Sequence, residues 1–112
     1  MQIGISTLDK ETVVVYVEPG DDGPMVDLLE KHGHGYSIWG AAIEHPIAVI
    51  DRRLLSKPGY TEDHMLAIEA HELGHIHKKT DDEPTAELMG ILLLESLGQE
   101  GAARLLRKRG VI

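Results

Sequence analysis

The 112-residue chain contains no cysteine. That excludes disulfide stapling, a thiol nucleophile and thiolate metal ligands. Phenylalanine is also absent, and the aromatic set is one tryptophan and three tyrosines. The core must therefore be aliphatic. Basic residues are few, 11 against 19 acidic, for a formal net charge of −8. Such a balance disfavours nucleic acid and anionic membrane surfaces as partners. Apolar runs such as Ile91 to Leu94 fall far short of the roughly 18 residues of a membrane span. Met1 to Gly4 shows no basic stretch leading into an apolar one, so no signal peptide is expected. The expectation is a soluble cytoplasmic protein with a single domain over residues 1–112, enough chain for one modest core.

The first half of the chain has strand character. Thr12 to Val17 is β-branched and aromatic, and the turn residues Glu18 to Gly23 stop it. Pro24 suits the first turn of a short helix striped by Met25, Val26, Leu28 and Leu29, which fades at Lys31 to Gly35. Tyr36 to Trp39 is a second strand candidate and Pro46 to Ile50 a third. A proline at the start of that third strand suits a sheet edge or a strand start.

From Thr61 the apolar period becomes helical. Thr61 is a good N-cap, and Glu62 and Asp63 sit where the helix dipole favours acids. Leu66, Ala70 and Leu73 form one apolar line, flanked by Met65, Ile68 and Ile76. After the polar break Thr80-Asp81-Asp82, Pro84 opens a second helix capped by Asp82 or Glu83, with Leu88, Ile91, Leu92 and Leu94 to Leu97 as its apolar face and Gly98 as its stop. Gln99 to Arg109 reads as a last helix closed by Gly110. The sum is an α+β fold.

The chemistry lies in His71-Glu72-Leu73-Gly74-His75, the pattern HExxH. Residues four apart share a helix face, so two imidazoles there can chelate one Zn²⁺ at about 2.0–2.1 Å each. Glu72, about 100° around the helix, borders the metal without being aimed at it. It is placed to take a proton from a water acidified by the metal. Gly74 costs helix stability, roughly 1 kcal/mol relative to alanine, and so suggests that something packs closely there.

Catalytic zinc sites usually carry three protein ligands. Glu83, Glu87 and Asp81 are the candidates for the third, whereas His77 projects from another helix face towards solvent. If the chain reverses around Asp81, Glu87 comes level with His75. If the first helix ends near His77, Glu83 does. A pattern of the form HExxHxxGxxH/D would select Asp81, but Lys78 stands where that pattern needs a glycine.

HELGH followed by Glu83-Pro84-Thr85-Ala86-Glu87 resembles the gluzincin zinc metallopeptidases, in particular the ImmA/IrrE-type peptidases and the minigluzincins. The resemblance spans roughly Thr61 to Leu97. It implies a zincin-like fold, in which a small twisted sheet packs on the active-site helix and a glutamate helix and a C-terminal helix follow. It further implies His71, His75 and Glu83 as zinc ligands and Glu72 as general base, with Glu87 accepting the N–H of a ligating imidazole. Zincin scaffolds run an edge strand along the cleft, for which Pro46 to Ile50 is the expected segment.

The expected function is peptide-bond hydrolysis by a zinc metallopeptidase acting on peptide or protein substrates. The alternative is a zinc-containing regulatory or binding module with little or latent activity, working with a protein partner. Tyr16, Tyr36, Tyr60 and several arginines and histidines are available as further donors to a developing oxyanion, and the sequence does not choose among them. His64 is expected to be solvated, as are the loop histidines His32 and His34.

Overall fold

A computed structural model describes residues 1–108. Four strands, β1 (Gln2–Ile5), β2 (Val13–Val17), β3 (Gly35–Ile38) and β4 (Ile47–Asp51), form one mixed sheet in the order β1-β2-β4-β3. The helix α1 (Pro24–His32) lies between β2 and β3. A 3₁₀ turn over Arg52–Ser56 leads from β4 to α2 (Glu62–Lys78), α3 (Glu83–Ser96) and α4 (Glu100–Arg107). The fold is α+β, and among the described residues no helix is long and apolar enough to cross a membrane.

The central strands β2 and β4 pair in parallel, Val13 opposite Ile47 through Val17 opposite Asp51. Strands buried on both faces read as continuous apolar runs, which explains VVVYV and IAVI. Their alternate residues feed two separate clusters. Val14, Ala48 and Ile50 pack with Met65, Ile68 and Ile76 of α2. Val15, Val17 and Val49 pack with Val26 and Leu29 of α1 and with Tyr36 of β3. A third cluster joins Ala67, Ala70 and Leu73 of α2 to Leu94 of α3 and Ala102, Ala103 and Leu106 of α4. The apolar line of α2 thus faces α3 and α4, and its flanking residues face the sheet. Helix α2 is therefore apolar on two sides, as a helix enclosed by other elements must be.

Gly74 explains how closely α2 and α3 approach. A Cβ there would lie 2.1 Å from the Ala86 carbonyl oxygen, well inside any real contact. The sequence expectation of a tight neighbour is met by the backbone of the next helix.

Four expectations are corrected. Ile47–Asp51 is an interior strand, because Pro46 lies just outside the ladder and removes no hydrogen bond from it; the sheet edge beside α2 is Gly35–Ile38. Strand β1, antiparallel to β2, is an additional element with every residue exposed. The face that α3 buries consists of Ala86, Gly90 and Leu94, while Leu88, Leu92 and Leu97 are exposed. Where the two helices come closest, at Ala86 and Gly90, only small residues fit. The last helix spans Glu100–Arg107, and Arg109 and Gly110 lie outside the described residues.

Candidate metal centre and catalytic cleft

Thr61 caps α2 as expected, and the Thr61 N–H donates to His64 Nδ1 at 3.1 Å. His64 is thus part of the cap. Its ring also packs edge-on against Tyr60. At the other end α2 stops at Lys78, and Lys79 takes a left-handed conformation, φ 49°. Asp82 then caps α3 by accepting from the Thr85 N–H at 2.9 Å. With α2 ending at Lys78, the first residue of α3, Glu83, comes level with the two motif histidines.

The result is a convergence of three donor groups. His71 Nε2 lies 2.7 Å from Glu83 Oε2, His75 Nε2 lies 3.3 Å from Glu83 Oε1, and the two Nε2 atoms are 3.2 Å apart. The imidazole planes stand at 80° to each other. His75 Nδ1 donates to the Thr80 carbonyl at 2.8 Å, which leaves the Nε2 lone pair of a neutral ring pointing into the cluster. Burial lowers the pKa of His71; repulsion from a charged His75 adds to the fall and outlasts the opposing pull of Glu83 and Glu87. His71 therefore favours the neutral, ligating form. Its buried Nδ1 has no hydrogen-bond partner among the described residues.

The donor set fits a metal. In neutral rings, at most one proton, on His71 Nε2, is available to three groups that otherwise present lone pairs. A cation at their centre satisfies all three. Tetrahedral zinc with ligands at 2.0–2.1 Å sets neighbouring donor atoms roughly 3.3 Å apart, close to the spacings found. Asp81 and Glu87 both line the adjoining cleft but do not join the trio. The charge of Glu87 acts on His71 from one turn further along α3.

Glu72 is buried beside this cluster. Burial pushes its carboxyl up to about 7, the Glu83 charge adds to the rise, and His75 and a hydrogen bond from Ser37 hold it back. Ser37 belongs to the edge strand β3. Gly35, two residues earlier on the same face, lets that strand come close: a Cβ there would meet Ile68 Cγ2 at 2.8 Å and Glu72 Cγ at 3.3 Å. No motif marks Ser37, Gly35 or the Thr80 carbonyl. Only the shared face of residues 35 and 37 hints at the first two.

An open cleft of about 730 Å³ runs between β3 and the helix pair, with His71, Glu72, His75 and Glu83 in one wall. His32, His34 and Trp39 line it from the other side, so His32 at the end of α1 and His34 beyond it face the cleft. Comparison with protein-family models, curated proteins and solved structures finds no match. The functional reading therefore rests on this geometry and on the residues themselves.

One sequence expectation fails here. Tyr16 is no free donor, because its hydroxyl donates to the buried Glu69 at 2.7 Å, on the side of α2 that Ser6 also reaches. His77 is exposed on another face of α2, as expected, and its Nε2 also lies 2.7 Å from Asp9 Oδ2 in the β1–β2 connection.

Proposed function

We propose that this chain is a small zinc-dependent metallopeptidase of zincin type, acting on peptide or protein substrates. The observation that carries this reading is the convergence of His71 Nε2, His75 Nε2 and the Glu83 carboxylate at 2.7–3.3 Å in the wall of an open cleft, with the carboxyl of Glu72 buried alongside. A structural metal site closes its coordination shell, whereas a catalytic one has three protein ligands and keeps a position open.

His71, His75 and Glu83 would hold Zn²⁺, which supplies an acidified water and a polarised carbonyl. The remaining work falls to side chains and backbone of the chain. Glu72 takes a proton from the attacking water, the water oxygen bonds to the peptide carbonyl carbon, and the C–N bond breaks as Glu72 returns the proton to the leaving amine. A carboxyl already raised to about 7 by burial suits a group that must both take and give a proton near neutral pH. Ser37 holds Glu72 in place, and the Thr80 carbonyl fixes the tautomer of His75, as partners of metal-binding imidazoles commonly do.

The test is zinc content of untagged protein together with cleavage of a peptide library followed by mass spectrometry. About one cleft-bound equivalent and cleavage abolished in Glu72→Gln are expected. Zinc well below one equivalent, or cleavage that survives Glu72→Gln, overturns the reading. Zinc binding without cleavage of any peptide or protein would favour a regulatory zinc module on the same scaffold.

A further inference from the structure

A second cluster with metal-ligand chemistry lies at the C-terminal end of α2, outside the cleft. His77 projects from the last turn of the helix, and Asp9 and Glu11 come from the connection between β1 and β2. His77 Nε2 is 2.7 Å from Asp9 Oδ2 and 3.9 Å from Glu11 Oε1. One ligand atom from each residue falls within a common 4.8 Å sphere of separation.

Its construction differs from a chance surface ion pair. The Asp9 side chain is only 4% exposed, and its orientation is fixed before any cation arrives. Asp9 Oδ1 accepts the backbone N–H groups of Glu11 and Thr12, each at 3.0 Å, which leaves Oδ2 to face His77 and the Thr12 hydroxyl. The imidazole is supplied independently, 68 residues away in sequence, by a helix packed against the sheet and two other helices. Two carboxylates drawn to one imidazole leave a net negative charge even when that ring is protonated. The Glu11 side chain, 72% exposed, has room to close on a bound ion.

We infer that Asp9, Glu11 and His77 form a second divalent-cation site, of the Zn²⁺ class, that ties the β1–β2 connection to the last turn of α2. One imidazole nitrogen with two carboxylate oxygens matches zinc better than calcium or magnesium, which take all-oxygen shells. The ion would bridge the two segments that the His77–Asp9 contact already joins. It would brace the turn whose neighbouring residue, His75, is a ligand in the cleft. The inference stands whether or not the cleft is catalytic.

The experiment is titration of metal-free, untagged, full-length protein with Zn²⁺, read by calorimetry and native mass spectrometry. Wild type is expected to take up two equivalents, and His77→Gln and Glu11→Gln to lose the second. Those positions are chosen because Asp9 also holds its turn together. The double variant His71→Ala/His75→Ala separates the two sites. It should retain one equivalent, with the His77 ring resonances shifting in NMR as zinc is added. The inference is overturned if the folded double variant binds no zinc, or if the remaining equivalent persists when His77→Gln is added. Failure of the cleft reading looks different: wild type and the double variant would then bind the same single equivalent, still lost in His77→Gln.

Discussion

Helix α2 carries two histidine–carboxylate clusters that use nearly the same chemistry in opposite surroundings. At His71, His75 and Glu83 the donor atoms open onto a cleft of about 730 Å³ and a carboxyl buried beside them titrates near 7. At His77, Asp9 and Glu11 the donors sit against a tightly hydrogen-bonded turn, and none of the three lines that cleft. The contrast separates two requirements. Holding a cation needs converging lone pairs, whereas hydrolysing a peptide also needs an open volume and a general base within reach of the water.

The most drastic way to break the comparison is His75→Ala. It should empty the cleft of zinc and abolish cleavage while leaving the Asp9 cluster intact, as measured by zinc stoichiometry beside peptide turnover. Glu72→Gln tests the base alone. Cleavage should fall by about 10²–10⁴-fold with zinc content unchanged.

The same variant has a pH signature in metal-free protein. A carboxyl raised by burial to about 7 is protonated in both folded and unfolded states below about 4.5. The wild type should therefore lose stability as pH rises from there through 7, by on the order of 3 kcal/mol. Glu72→Gln should lack that slope and melt higher at pH 8, as thermal denaturation at several pH values would show.

Gly74→Ala should destabilise the fold by about 2 kcal/mol, because the clash with the Ala86 carbonyl outweighs the gain in helix propensity. Urea denaturation would measure it. The smallest effect expected is that of His77→Gln without metal, at most about 1 kcal/mol. It should grow when zinc is added, and that growth is what distinguishes a cation site from an ion pair.

Much of this was legible in the sequence wherever one local rule dominated. HExxH, the Thr61 cap and the Pro24 and Pro84 helix starts all reflect preferences acting within a turn or two. Gly74 announced a close neighbour, although only the structure identifies it as the Ala86 backbone. The choice among Glu83, Glu87 and Asp81 turned on where α2 ends, and Lys79 in a left-handed conformation set that end against the usual preference for glycine. Strand β1 escaped notice because four residues with a glycine carry little pattern. The position of β4 in the interior follows from pairing between distant segments, to which a single strand's composition is blind. The contact of His77 with Asp9 and that of Tyr16 with Glu69 span 68 and 53 residues and depend on the same long-range assembly.

The contact at Gly74 and Ala86 has a mechanical consequence. Two helices that touch through their main chains behave like the closed jaws of a calliper, and the gap between the motif imidazoles and Glu83 is the dimension they set. Aliphatic residues elsewhere can trade methyl groups without altering that dimension. A single methyl at position 74 would pry the jaws apart and carry the acid away from both rings, so the spacing of the three donor groups is set where side chains are smallest.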